Sequence, residues 1–172
     1  MKFDIAGIKL GMTPDEVKKI IIDTYHPTES ELYVDTRYGE RKKGEKEKYI
    51  SDIQYTKSKG QQFNLRVEFC LIPEEENKKS SLRAEDIVYS IKGINENIQK
   101  VRKMAISKYG EPTKKSDYSY EWCEHIDSRL HTCALFEPKL STYSASVRLS
   151  NAGYSKIAGE IKEKWKIVEP KF

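Results

Sequence analysis

Apolar and polar residues alternate most cleanly between Phe63 and Leu71. There Phe63, Leu65, Val67, Phe69 and Leu71 are separated by Asn64, Arg66, Glu68 and Cys70. A period of two puts the apolar set on one face of a half-buried strand. Ile87, Tyr89 and Ile91 repeat the alternation, and a less regular strand is expected from Tyr49 to Tyr55. The period becomes helical from Pro14 to Tyr25, where Val17, Ile20, Ile21 and Thr24 form a stripe that His26-Pro27 ends. A second helix is predicted from Glu96 to Tyr109 on the stripe Ile98, Val101, Ala105 and Tyr109. Gly110 supplies its stop and Pro112 prevents its continuation. Strands are then expected over Tyr118 to Ile126, His131 to Phe136 and Tyr143 to Leu149. A last amphipathic helix begins near Ala152, with Tyr154, Ile157, Ile161 and Trp165 on one face.

The first helix has an unusually well specified start. A short apolar strand from Phe3 and a glycine turn at Gly11 lead into it. Thr13 can cap the free N–H groups, and Pro14 suits the first helical position because its missing donor costs nothing there. Glu16 completes a capping box with Thr13, while Met12 and Val17 stand where a hydrophobic staple closes over the cap. The two helices also resemble one another. Val17, Lys19, Ile22 and Tyr25 recur, without a gap, as Val101, Lys103, Ile106 and Tyr109. With three strand candidates after each helix, this predicts an α+β protein of tandem α-β-β-β halves, residues 1–92 and 93–172. Helices would pack on antiparallel sheet, the C-terminal helix being added to the second half, and the whole would form one unit.

Composition narrows the class. A chain of 172 residues can bury a real core without metals. No apolar run approaches the roughly 20 residues that a membrane-spanning helix needs. The 31 basic and 27 acidic side chains leave a formal charge of +4. They are also interleaved. From Asp35 to Lys48, Arg37, Arg41, Lys42, Lys43, Lys46 and Lys48 alternate with Asp35, Glu40, Glu45 and Glu47. So mixed a segment reads as a solvated, mobile loop and argues against a nucleic-acid partner.

Candidate chemistry is confined to one predicted hairpin, Tyr118 to Phe136. If His125 and His131 face each other beside its turn, Cys123 stands opposite Cys133 and all four project from one face. Tyr118, Tyr120, Trp122, Ala134 and Phe136 would then face the core. Three readings stay open: a disulfide between Cys123 and Cys133, unpaired thiols, or a zinc site of Cys123, His125, His131 and Cys133. The disulfide leads, because two flat cross-strand pairs do not converge well on a tetrahedral centre. Cys70 has outward parity and is expected to be a free thiol covered by a neighbouring helix. The chain contains no Gly-x-Ser-x-Gly elbow, Walker-type loop, His-Glu-x-x-His pair or Asp-x-Asp-x-Asp loop. No catalytic residue and no cofactor is assigned. Exposed members of the eleven tyrosines and two tryptophans would favour a protein-binding face.

The helix start Gly11-Met12-Thr13, with Val17 four residues on, resembles that of small bacterial envelope proteins. These are the SmpA/OmlA-type outer-membrane assembly lipoproteins and the β-lactamase-inhibitor-like fold. Tyr109-Gly110-Glu111-Pro112, followed by Trp122 in a strand, is similar to the helix, Gly-x-Pro, Trp-strand order of the same module. The match covers about a third of the chain and departs from the family in lacking a lipobox cysteine near Met1. The resemblance implies a periplasmic or secreted module that binds another protein and performs no chemistry: an inhibitor, an immunity protein or an envelope-assembly factor. No apolar segment follows Met1-Lys2 before Asp4, so an exported form would have lost its signal. The alternatives are a cytoplasmic protein with three thiols, and a small zinc-dependent or hydrolytic enzyme centred on the cysteine-histidine hairpin.

Overall fold

In the computed structural model, which describes residues 3–60, 62–75, 78–92, 95–129 and 132–167, helix α1 spans Pro14–Tyr25. Its boundaries lie where the local signals put them. The Thr13 N–H donates to Glu16 Oε2 at 2.7 Å, and the Glu16 N–H donates back to Thr13 Oγ1 at 3.4 Å. His26 closes the helix in the left-handed conformation, its N–H donating to the Ile22 carbonyl at 3.0 Å. Helix α2 spans Asn95–Tyr109, and the Gly110 N–H donates to the Ile106 carbonyl at 2.8 Å. Helix α3 spans Gly153–Ile167. No helix among the described residues is long and apolar enough to cross a membrane.

Four strands, not three, separate α1 from α2: β1 (Leu32–Lys42), β2 (Glu45–Lys57), β3 (Phe63–Ile72) and β4 (Ser81–Ile91). The segment expected as a charged loop is the hairpin of β1 and β2. Its alternating charges are cross-strand neighbours, Glu40 opposite Lys46 and Lys42 opposite Glu45. Opposite charges facing each other across a ladder stabilise it, so the pattern that reads as a solvated loop is a sheet pattern. Arg41 gathers Glu45 at 2.9 Å, Glu74 at 3.0 Å and Glu47 at 3.6 Å around its guanidinium. Gly39 lies against Tyr49 and Leu71, where a Cβ would come within 2.8 Å of the Tyr49 ring.

The second half is also more divided than its periodicity predicts. It contains β5 (Lys114–Lys115), β6 (Ser119–Cys123), β7 (Ile126–Asp127), β8 (Thr132–Cys133), β9 (Lys139–Tyr143) and β10 (Ser146–Ser150). The expected strand from Tyr143 to Leu149 is broken by a turn in which Ser144 takes a positive φ of 53°. Eight of the strands form one antiparallel sheet in the order β1-β2-β3-β4-β10-β9-β6-β5, while β7 and β8 form a separate ribbon. The four-strand run after α1 and the strands after α2 therefore meet through their last strands, β4 and β10.

Register explains the core. Ile53, Val67, Ile87, Leu149, Leu140 and Trp122 are successive partners across six strands, and each is buried. Val17 and Ile21 of α1 and Val101 and Ala105 of α2 are buried as well, and Val17, Ile21 and Ala105 join the row in one apolar cluster. Burying this row is the main stabilising term in the fold. The opposite face alternates in polar side chains, including Arg66, Glu68, Asp86 and Arg148. There α3 packs on β3 and β4, burying Ala158 and Ile161 while Ile157, placed on the apolar face by its spacing, is exposed.

The segment before α1 is a tight turn, not a strand. Ile5 and Ile8 bridge each other, with Ala6 and Gly7 at positive φ between them. Phe3, Ile5, Ile8 and Leu10 are buried nonetheless. Gly11 then ties this segment to the sheet, donating to the Ala84 carbonyl at 2.8 Å at a φ of +87°, with the Tyr154 hydroxyl where a Cβ would need room. Gly11→Ala is expected to lower unfolding free energy by roughly 1–2 kcal/mol in urea titrations, the cost of a side chain at left-handed backbone. Gly44→Ala, at φ +77° with open space around it, is the control. Equal losses would mean that the Tyr154 contact carries no cost of its own.

Candidate functional site

The residues singled out at the helix start serve the fold. Gly11 and Met12 bracket Ala84 of β4, the Ala84 N–H donating to the Met12 carbonyl at 2.8 Å. Thr13, Pro14 and Glu16 build the cap, and Val17 is in the core. The Thr13 N–H and hydroxyl hold the Glu16 carboxyl below its usual range.

At the cysteine-histidine hairpin the sulfurs are joined. Cys123 and Cys133 form a disulfide with their Cα atoms 5.3 Å apart, and Trp122 points to the core side at 3% exposure. The expected register is wrong, however. Ile126 stands opposite Cys133, and the Ala134 N–H donates to the His125 carbonyl at 3.0 Å, so His125 stands opposite Ala134. Asp127 sets this register by accepting from the Arg129 N–H at 2.8 Å, a side-chain-capped turn one to two residues later than the assumed centre. His131 lies outside the described residues. His125 is exposed, with Nδ1 3.9 Å from Glu137 Oε2. Both thiolates that a zinc site would need are spent in the disulfide. Tyr118 and Phe136, expected on the core face, are 77% and 46% exposed because the strands end before them.

Cys70 lies under α3, its sulfur 3.8 Å from Ser155 Oγ. Burial, and then the nearby Glu85 carboxylate, push its thiol above the ordinary range. It is therefore a poor nucleophile at neutral pH.

Two features remain that local patterning does not disclose. The first is strand β1 at the edge of the sheet. Its tip is closed by Glu74, which pairs with Arg41 and Lys42 and donates its N–H to the Arg41 carbonyl. From Leu32 to Tyr38 no described backbone group takes up the outer edge, although the Thr36 N–H donates to Asp35 Oδ1 at 2.8 Å, and Tyr33 and Tyr38 are 60% and 72% exposed.

The second is a groove of about 240 Å³ between α1 and α2. Its floor is Tyr89 and Val147, cross-strand partners at the junction of β4 and β10. Tyr25 forms one wall, Met104, Ala105 and Tyr109 the other, and the Ile5-Ala6 turn closes one end. An aromatic cluster flanks each side. Tyr25 stacks on Tyr55 at 5.0 Å and Phe63 meets Tyr89 at 5.1 Å, while Tyr109 meets Phe3 at 5.9 Å and Trp122 at 6.2 Å. At the rim Lys108 Nζ pairs with Asp4 at 2.7 Å, and the Tyr109 hydroxyl donates to the Asp4 carbonyl at 2.5 Å. Partial burial opposes both charges. The hydrogen bond between them prevails, lowering the Asp4 carboxyl and raising the Lys108 ammonium.

No family model, curated protein or solved structure matches the chain.

Proposed function

We infer that the protein is a non-catalytic binding module of the bacterial envelope, exported and oxidised there, which captures an extended segment of another protein along β1. The single observation behind this reading is the edge from Leu32 to Tyr38, which no described backbone group covers, with Tyr33 and Tyr38 exposed on it. An edge strand offers a ready row of N–H and C=O groups, and proteins ordinarily blunt such rows unless they use them. Adding a partner strand there would satisfy the row, with tyrosines supplying contact area at low entropic cost. The Cys123–Cys133 disulfide supports an oxidising destination. The resemblance of the helix start and of the Tyr109 to Trp122 segment to SmpA/OmlA-type modules supports the same address. The repeated helix motif and the meeting of β4 with β10 support a tandem duplication of one α-β unit. Within this class the choice among inhibitor, immunity protein and assembly factor follows from the partner.

A photo-crosslinking amino acid placed at Tyr33 or Tyr38 in the native cells tests the reading. It should give a discrete periplasmic adduct that the same group at Ile157, on exposed α3 surface, does not give. Removing the other tyrosine should weaken the adduct by roughly tenfold, as expected for a buried aromatic anchor. No adduct from β1, or equal adducts from β1 and Ile157, would sink the edge-strand reading.

A further inference from the structure

A second pocket, of about 380 Å³, lies between α2 and the ends of β6 and β9, within the roughly 300–1,000 Å³ that small-molecule sites occupy. Gln99 and Arg102 line it from α2, Asp117 and Tyr118 from the turn before β6, and Tyr143 and Ser144 from the end of β9. Both turns are closed by hydrogen bonds of their own. The Ser116 N–H donates to the Ser119 carbonyl at 2.9 Å, and the Ser119 N–H donates to Ser116 Oγ at 3.0 Å. Beyond β9 the Ser146 hydroxyl donates to the Tyr143 carbonyl at 2.6 Å. Ser119 and Tyr143 are cross-strand partners, so the two turns sit side by side. They carry Tyr118 at 77% and Tyr143 at 68% exposure. Rings on backbone already fixed give contact area at low entropic cost.

Arg102 is held in place without an acid. Its guanidinium lies 4.7 Å from the centre of the Tyr120 ring, and Nη2 donates to the Asp117 carbonyl oxygen of the backbone at 2.7 Å. No described carboxylate pairs with it, and the Asp117 carboxylate accepts from no described group. The pocket therefore presents a positioned cation and an anion that do not neutralise each other. A guanidinium only donates, a carboxylate only accepts, and the Gln99 amide and Ser144 hydroxyl do both. The chemistry of this lining selects among ligands. An anion that gains Arg102 meets the Asp117 carboxylate, and a cation meets the reverse. A wholly apolar body has Ile98 as its one aliphatic neighbour among the described lining residues and would cover polar groups without pairing them. A small zwitterion answers the two charges but leaves both tyrosine rings unused. What matches the whole lining is an uncharged body that donates and accepts around its rim and offers a C–H face to an aromatic ring. A pyranose has that build.

We propose that this pocket binds a neutral saccharide, with a pyranose ring against Tyr118 and Tyr143 and its hydroxyls donating to Asp117 and accepting from Arg102. In the strand order β6 and β9 lie towards the opposite end of the sheet from β1. The site is separate from that edge and stands whether or not β1 takes a protein partner.

The test titrates the intact protein with maltotriose, cellotriose and chitotriose at millimolar concentration, followed by amide shifts in ¹H–¹⁵N spectra. Inorganic phosphate and glycine serve as the anionic and zwitterionic comparisons. At least one trisaccharide should shift Arg102, Tyr118 and Ser144, with an affinity that does not change between low and high salt. Tyr118→Ala and Tyr143→Ala, both at exposed positions, should each weaken it about tenfold. Asp117→Asn keeps an acceptor and should cost less than about threefold. Should a tyrosine variant disturb folding, Gln99→Trp fills the pocket from an exposed helix position and should abolish binding. Several results would each overturn the proposal: no shift from any trisaccharide, shifts confined to other surfaces, or indifference to the tyrosine and Gln99 variants. So would phosphate binding more tightly than every trisaccharide in a salt-dependent way, which would mark a simple anion site. Glycine binding that Asp117→Asn abolishes, with no trisaccharide bound, would mark a zwitterion site instead.

Discussion

Replacing Trp122 by alanine is expected to be the most damaging single change in the chain, costing about 3–5 kcal/mol, as truncation of a large buried aromatic does. Trp122 is 3% exposed and ends the row of partners that begins at Ile53. Its ring meets Tyr109 of α2 edge-on and its Nε1–H donates to the Gly110 carbonyl at 2.9 Å. One side chain thus fills the space beneath α2 and satisfies a carbonyl at that helix's end. Truncation opens a cavity and orphans the carbonyl together. Against a total of about 5–15 kcal/mol for an ordinary domain, such a loss is a large fraction. Trp122→Phe separates the two contributions. It keeps most of the volume and should cost about 1–3 kcal/mol, the range for a lost buried hydrogen bond and partial repacking. Urea unfolding followed by circular dichroism reads both. A loss below about 1 kcal/mol for Trp122→Ala would mean that α2 does not depend on this contact.

The elements governed by local chemistry are the ones the chain discloses. Thr13, Pro14 and Glu16 specify the start of α1 by capping geometry, and α1 spans Pro14–Tyr25 as its pattern predicts. Phe63 to Leu71 alternate and form β3, with Leu65 and Val67 fully buried. Gly110 ends α2 because a left-handed residue stops a helix, and its φ is +82°. Patterning failed where a long-range partner decides the outcome. The run from Asp35 to Lys48 has no apolar face of its own. Only pairing across the hairpin turns its charges into Glu40–Lys46 and Lys42–Glu45 neighbours. The turn between β7 and β8 falls later than the two histidines predict, at the Asp127 side chain that accepts from the Arg129 N–H.

Candidate sites follow the same division. A disulfide between Cys123 and Cys133 is legible from spacing alone: the parity argument fails, because the register is shifted by three residues, and the bend at 124–125 between β6 and β7 lets the bond form between β6 and β8. The groove is not legible, because Tyr25, Tyr89 and Tyr109 come from three elements and each has an adequate explanation as a packing residue. What the sequence does carry is an excess of tyrosine over phenylalanine, 11 to 5. Phenols in place of phenyls within a core signal that some hydroxyls point at a cleft or a partner.

Loss of the disulfide is expected to have the second-largest effect, and a different character. Cys123 and Cys133 are 10 residues apart in sequence. Closing so short a loop stabilises by a little under 3 kcal/mol when chain entropy alone is considered. The bond lies at one side of the sheet, joining the end of β6 to the β7–β8 ribbon, while the row from Ile53 to Trp122 packs without it. Cys123→Ser with Cys133→Ser should therefore lower the urea midpoint by an amount equivalent to roughly 2–3 kcal/mol and leave the sheet folded. Hydrogen exchange should show the change concentrated between Cys123 and Glu137, with β3 and β4 protected until global unfolding. The Cys70 thiol makes a useful internal control, since it sits under α3 with a raised pKa and should alkylate slowly in both forms. Non-reducing peptide mass spectrometry on protein recovered from the periplasm bears on the compartment as well. A Cys123–Cys133 cross-linked peptide is expected there. Two free thiols in that material would remove both the bond and the support it gives to an exported protein.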